Sequence, residues 1–339
     1  MFQETYDFSD VLIKPCYTLL SSRSQVNLER SFKFKYSPKT LKCIPIMAAN
    51  MDTTGTISVM KSLTPVGLFT VLHKFVSVDE FKENKQFLEQ YQDNYAVSTG
   101  TNNLEYLKKV NEVIDFKTIC IDVANGYMEK LVLFCQEVRK EFPDKIIIAG
   151  NVVCGGMTKT LIVDGKVDIV KVGIGGGSAC TTRIKTGVGI PQFSAIMDCI
   201  SVAKLYGGHI ISDGGITCPG DMSKAFGVGA SFVMMGGQFS GHDENPGEII
   251  EENGQKYKLF YGMSSAHAMK KHYGGVENYR TSEGRCIKIK YKGPISTTVE
   301  DYLGGVRSTC TYVNCSDIEH LSHKVKFVKV NNQFNKSLV

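Results

Sequence analysis

The residue in this chain best placed to do covalent chemistry is a cysteine on a glycine-rich loop. The run Gly173-Ile-Gly-Gly-Gly-Ser-Ala-Cys-Thr-Thr-Arg183 surrounds Cys180 with residues too small and polar to pack it into a core. A cysteine nucleophile needs thiolate character, which a nearby cation or a set of backbone N–H groups provides. Glycines beside Ser178 offer such groups, and the same groups cradle a phosphate. A glycine-rich loop alone is also what many turns look like. The Cys-x-Thr step, Cys180 to Thr182, makes this one sharper. Two more glycine pairs follow, in Ser212-Asp-Gly-Gly215 and Met235-Gly-Gly237. Gly214 with Gly215, and Gly236 with Gly237, suit one phosphate gripped from both sides, although ordinary turns would supply such pairs too. Asp213 beside them suits a ribose diol, since a carboxylate accepts two hydroxyl hydrogen bonds. Together these residues point to a nucleoside monophosphate attacked by Cys180.

Such groups must be held at the ends of rigid elements. Short runs rich in β-branched residues recur eight times: Ile44–Asn50, Gly67–His73, Tyr95–Gly100, Thr118–Ala124, Lys145–Val152, Asp168–Gly175, His209–Gly215 and Phe232–Phe239. Each is nearly continuous in apolar residues, as parallel strands buried on both faces are. Helical spacing lies between them, most clearly over Val78–Tyr91 and Tyr127–Phe142, and another helix is expected to open at Pro191. Strand and helix alternating eight times predict a (β/α)8 TIM barrel, with an open doubly wound sheet as the alternative. The candidate residues fall at strand C-termini, which favours the barrel. One catalytic domain over 1–339 is expected, with a catalytic loop at 173–190 and excursions at 241–261 and 278–299. A frayed tail is expected beyond about Asn331.

Composition narrows the class. The net charge of +5 comes with no block of like charges, so no nucleic-acid partner is expected. The eleven cysteines are scattered without a Cys-x-x-Cys, which argues against a disulfide framework or zinc site and for a reducing compartment. No apolar run reaches membrane-spanning length, and the N-terminus has no signal-like segment; a cytoplasmic protein without a membrane partner is expected. His267 and His272, and His320 and His323, lack further ligands nearby and are expected at the surface. Glu248–Glu252 is expected to be a solvated loop and Met234-Met235 core. Met47 and Met51 fit core packing or base stacking equally well.

At this point the sequence resembles the family of IMP dehydrogenases and GMP reductases. The resemblance rests on Phe8-Ser-Asp-Val-Leu, Pro45-Ile-Met-Ala-Ala-Asn-Met-Asp52, Asp122-Val-Ala-Asn-Gly126, Gly150-Asn-Val152, Gly173–Arg183, Ser212–Gly215 and Tyr261-Gly-Met-Ser264, over nearly the whole chain. Three features look like the reductase branch. Between His73 and Tyr95 there is room for one helix only, where dehydrogenases usually insert regulatory domains. The Tyr279-Arg-Thr-Ser-Glu-Gly284 run has no obvious Arg-Tyr pair of the kind that activates water. Glu283 stands where dehydrogenases typically carry Gln.

The resemblance implies a reaction and a set of roles. GMP and NADPH would give IMP, ammonia and NADP+, as part of purine nucleotide salvage. Cys180 would form a thioimidate at C2, with Thr182 and Glu283 moving the proton; nothing in spacing alone joins those two. GMP would be held by Ser178, Asp213, Gly214, Gly215, Gly236 and Gly237, with Gly262, Met263, Ser264 and the segment Arg280, Thr281, Ser282, Glu283 and Gly284. The dinucleotide would touch Lys74, Asp122, Val123, Ala124, Ile174, Gly175, Met263, Tyr279 and Arg280. Ser308, Thr309, Cys310 and Thr311 would complete its site, with Ser22 and Arg23 of a neighbouring subunit, which implies a homotetramer. Gly175, Gly177, Cys180 and Arg183 would surround a potassium ion. Relatives commonly have Gly-Pro-Gly where this chain has Gly175-Gly-Gly177, and losing that proline loosens the loop.

Overall fold

Eight parallel strands close on themselves. The computed structural model describes residues 3–273 and 282–330. Its barrel strands are β1 (Ile46–Ala48), β2 (Phe69–Leu72), β3 (Tyr95–Thr99), β4 (Thr118–Asp122), β5 (Ile146–Val152), β6 (Ile169–Val172), β7 (His209–Asp213) and β8 (Phe232–Met235). Each pairs in parallel with its neighbours in sequence, and β8 returns to β1 with Met234 opposite Met47. An open sheet would leave two edges; this one has none. All eight strands lie inside the runs expected from the sequence. All are shorter, chiefly because the polar and glycine ends of those runs already belong to the loops.

Alternation along the strands sorts the core into two layers. Met47, Phe69, Ala96, Cys120, Ile148, Ile169, Ile211 and Met234 fill the barrel interior. Ala48, Leu72, Val97, Ile121, Ala149, Val170, Val172 and Val233 point outward beneath the helices. Both sets are buried, so no polar alternation shows in the sequence. Met47 is therefore core, as are Met234 and Met235.

The lower mouth is plugged by an antiparallel hairpin, Arg30–Lys33 with Thr40–Cys43. Phe32 stacks on Phe232 at 4.2 Å and meets His209 edge-on at 5.5 Å. Asp168, at the start of β6, accepts from Arg139 Nη2 at 2.6 Å and from the N–H groups of Ile147 and Tyr36 at 3.0 Å. Charge at this end is structural, leaving the strand C-termini for chemistry.

Several expected boundaries shift. The helix expected over Val78–Tyr91 is two helices, Val78–Glu83 and Lys85–Gln90, broken at Asn84, whose side chain donates to Glu80 O at 2.9 Å. The helix expected from Tyr127 starts at Glu129, because Tyr127 N–H turns back to Asn125 Oδ1 at 3.0 Å. The stretch 173–190, expected as a loop, contains a short helix, Thr182–Thr186. The excursions at 241–261 and 278–299 are not plain loops. They supply a three-stranded antiparallel sheet, Ile250–Glu252, Gln255–Tyr261 and Cys286–Lys290. The acidic stretch Glu248–Glu252 thus ends in an edge strand, with Glu252 paired to Lys288. The long helix Ile295–Tyr312 begins inside the second excursion. Among the described residues no helix is long and apolar enough to cross a membrane.

Candidate active site

The loop after β6 carries Cys180 to the barrel rim, where a second segment is laid along it. Arg285 N–H donates to Ala179 O at 2.9 Å and Thr181 N–H to Glu283 O at 2.8 Å, an antiparallel bridge centred on Cys180 and Gly284. The Arg285 guanidinium adds two hydrogen bonds to Ser178 O, at 3.2 and 2.9 Å. This register brings three side chains together. The half-buried Cys180 thiol donates to Thr182 Oγ1 at 3.2 Å, and that hydroxyl donates to Glu283 Oε2 at 2.8 Å. Thr182 and Glu283 are 101 positions apart. A carboxylate at the end of such a relay can draw the proton from the thiol. Run in reverse, the relay can deliver a proton to a departing group.

Beside the thiol, the loops after β6, β7 and β8 pack backbone to backbone. Gly215 N–H donates to Gly176 O at 2.9 Å. A methyl group on Gly214 would lie 3.2 Å from Gly176 C, and one on Gly237 would lie 2.5 Å from Ser178 Oγ. Gly214 and Gly215 take φ of 97° and 77°, which side chains disfavour. A methyl on Gly236 would meet Met51 Sδ at 3.1 Å, so Met51, unlike Met47, lines this rim. Gly262 also backs onto the catalytic loop, its added methyl falling 3.1 Å from Ala179 O. Met263 Sδ accepts from Asp52 N–H at 3.4 Å. The Ser282 hydroxyl is engaged with Gly284 O at 2.9 Å, Ser264 O at 3.3 Å and Ala266 N–H at 3.0 Å. Tyr279, Arg280 and Thr281 lie outside the described residues.

A charged layer caps the apolar interior of the barrel. Asp122, Lys171 and Asp213 continue the inward-facing series of Cys120, Ile169 and Ile211. Lys171 Nζ pairs with Asp122 Oδ1 at 2.6 Å and Asp213 Oδ2 at 2.9 Å, and Asn151 Nδ2 donates to the same Asp213 oxygen at 2.8 Å. Burial alone would strip the charge from Lys171, but the two carboxylates outweigh it and push its pKa up. Burial likewise works against ionised Asp122, and Lys171 overcomes it, holding that carboxyl below its ordinary value. The pairing is thus complete at neutral pH and weakens only as acid titrates Asp122. Replacing Lys171 with Met would leave two carboxylates facing each other. We expect about 3–5 kcal/mol of lost stability, measured by chemical unfolding, with Lys171→Arg recovering much of it.

Lys171 and Asn151 carried no assigned role in the sequence reading. The signal for Lys171 was available: one charge inside an otherwise apolar buried strand must find partners. His272 is a correction. It was expected at the surface, but its side chain is only 13% exposed and its Nε2 lies 2.7 Å from Asp52 Oδ2, because the helix Ala266–Tyr273 turns that face onto the barrel rim. His267, His320 and His323 are exposed.

The remaining expected residues fall into two groups. Lys74 is near enough to Asp122 to help lower its pKa. Val123 is locked to β5 through Gly150 O and Asn151 N, each at 3.0 Å, while Ala124 is exposed. Ile174 is buried, and Gly175 lies under Arg183, whose Cγ would be 2.5 Å from an added methyl. Gly177 O already accepts Cys180 N–H at 2.9 Å and Arg183 O accepts Gly187 N–H at 3.1 Å; each carbonyl keeps a second lone pair for a cation. The second group is Ser22 and Arg23, both exposed, with Ser308, Thr309 and Thr311 on the helix Ile295–Tyr312, which packs on the Arg23–Gln25 turn. These two stretches form one patch of the same chain. Cys310 is fully buried within it and its thiol is pushed up to about 12 by burial, so its side chain does not face a ligand.

Comparison with known proteins sets this geometry in context. The domain described as IMP dehydrogenase / GMP reductase matches residues 5–336. GMP reductase 1 of Mus musculus is 52% identical over 332 residues, covering 97% of this chain and 96% of the relative. GMP reductase 2 of Homo sapiens is 52% identical over 332 residues, covering 97% and 95%. A GMP reductase of Buchnera aphidicola subsp. Acyrthosiphon pisum (strain Tuc7) is 51% identical over 337 residues, again covering 97% and 95%.

Proposed function

Because the chain belongs to the IMP dehydrogenase and GMP reductase family, we propose that it catalyses the reductive deamination of GMP: GMP, NADPH and two protons give IMP, ammonium and NADP+. The observation that carries this reading is the Cys180–Thr182–Glu283 relay beside a three-loop glycine cradle. A carboxyl group at position 283 that has taken up the thiol proton can protonate a departing amine; an amide there could not.

The cradle of Ser178, Gly214, Gly215, Gly236 and Gly237 holds the 5′-phosphate, and Asp213 uses the oxygen not engaged by Lys171 for the ribose. Gly262, Met263, Ser264 and the segment 280–284 close over the base. Glu283 takes the thiol proton through Thr182, and Cys180 Sγ bonds to C2 of guanine. The relay then protonates the 2-amino group, the C2–N bond breaks, and ammonia leaves a thioimidate. C2 would take its hydride from NADPH, the reductant this site would hold. The C–S bond then breaks, which returns the thiolate and releases IMP. Lys74 and Arg280 suit the phosphates of NADPH, and Asp122, Val123, Ala124, Ile174, Gly175 and Tyr279 line its path. The carbonyls of Gly175, Gly177 and Cys180, next to Arg183, would hold a potassium ion, which would steady the Cys180 loop. The patch of Ser22, Arg23 and Ser308–Thr311 serves a neighbouring copy in a homotetramer. The unpaired thiols fit a cytoplasmic enzyme of purine nucleotide interconversion.

The test is direct. With GMP and NADPH, loss of nicotinamide absorbance should match ammonia release mole for mole. Turnover of IMP with NAD alone would place the chain on the dehydrogenase branch instead.

A further inference from the structure

Asp52 follows Met51 on the loop after β1, and its side chain is 2% exposed. One of its oxygens, Oδ2, gathers three donors: Tyr261 OH at 3.0 Å, Lys271 Nζ at 2.9 Å and His272 Nε2 at 2.7 Å. All three belong to the insertion between β8 and the helix Ile295–Tyr312, which also carries Glu283. Tyr261 ends the strand Gln255–Tyr261 and sits opposite Cys286, just beyond Glu283; Lys271 and His272 end the helix Ala266–Tyr273. The Asp52 N–H also holds Met263 Sδ. A single buried carboxylate therefore holds the stretch leading up to Glu283 against the barrel rim, and reaches the far side of Glu283 through the pairing of Tyr261 with Cys286. His272 is further held by stacking on Phe75, with ring centres 3.7 Å apart and planes 1° from parallel. Beside this cluster lies a cavity of about 550 Å³, bordered by Asp52, His73, Phe75, Glu244, Lys271 and His272.

We propose that Asp52 is a positioning residue for the reaction: it latches the insertion so that Glu283 meets Thr182. The proposal rests on the reading of the relay given above. It assigns Asp52 no contact with substrate. A reacting group displaced by about an ångström can cost on the order of 10²-fold in rate.

The test compares wild type, Asp52→Asn, Glu283→Gln and the double variant in GMP and NADPH turnover, alongside GMP affinity and trypsin cleavage between Lys270 and Arg285. Asp52→Asn should lower kcat on the order of 10²-fold, weaken GMP binding by a clearly smaller factor, since Met263 is tied to the same latch, and speed the cleavage. The double variant should be no slower than Glu283→Gln, because the latch acts only through that carboxylate. Should Asp52→Asn fail to fold, Lys271→Met, which removes one half-exposed donor, should show the same pattern more weakly. The proposal is overturned if kcat is unchanged, if the two losses multiply, or if GMP binding falls in step with kcat. A wild-type protein inactive on GMP would sink the functional reading instead. The cleavage rates then decide the latch: faster in Asp52→Asn upholds it, unchanged overturns it.

Discussion

Cys180→Ala should abolish turnover of GMP, with kcat lowered at least about 10⁴-fold while GMP still binds. Among the described residues the thiol is the strongest nucleophile where the glycine cradle meets the relay, and the Ser178 and Thr182 hydroxyls beside it are far weaker. The backbone bridge from Ala179 and Thr181 to Glu283 and Arg285 does not involve the sulfur, so the loop should keep its place in the variant. A covalent adduct provides a second readout. Wild type quenched in acid during turnover should carry a purine nucleotide on Cys180, and the variant none. Substantial NADPH oxidation by Cys180→Ala would remove the covalent mechanism.

Glu283→Gln should have the next largest effect, a fall in kcat of about 10²–10⁴-fold with GMP affinity nearly unchanged. The substitution keeps the shape of the side chain and the main-chain hydrogen bond from Thr181, but an amide cannot hold and return the proton. Thr182→Val breaks the same relay in its middle. Combined with Glu283→Gln it should add little, because the two residues act as one unit. A wild-type rate in Glu283→Gln would show that the leaving amine finds its proton elsewhere.

The fold was legible because a parallel barrel buries both faces of its strands, and eight such runs are hard to arrange otherwise. Cys180, Thr182 and the glycine pairs were legible as local patterns. What links them to Glu283 was not, since the register of the Ala179–Arg285 bridge depends on tertiary packing. The three-stranded sheet was missed although its tip carries a plain signal. Asn253 and Gly254 both take positive φ, at 50° and 73°, in the two-residue turn between Glu252 and Gln255. Asp52 and Lys171 lay within quoted runs, but their partners sit on elements remote in sequence, so chemistry could not be assigned to them from spacing. Asn84 split an expected helix because its own side chain competes for the backbone of the preceding turn.

The return of β8 to β1 has a consequence for how the protein comes into being. During synthesis, β1 has one neighbour until Phe232–Met235 is made, when Val233 pairs with Ile46 and Met235 with Ala48. The emerging chain therefore carries an incomplete sheet with two unpaired edges for most of its translation. Pairing between such distant stretches is slow. Glu283 is added later still, so the relay is assembled only on a barrel that has already closed. A ribosome-released fragment lacking the last quarter of the chain would hold Cys180, Thr182 and all the residues of the glycine cradle, yet have no carboxylate for the Thr182 hydroxyl to meet.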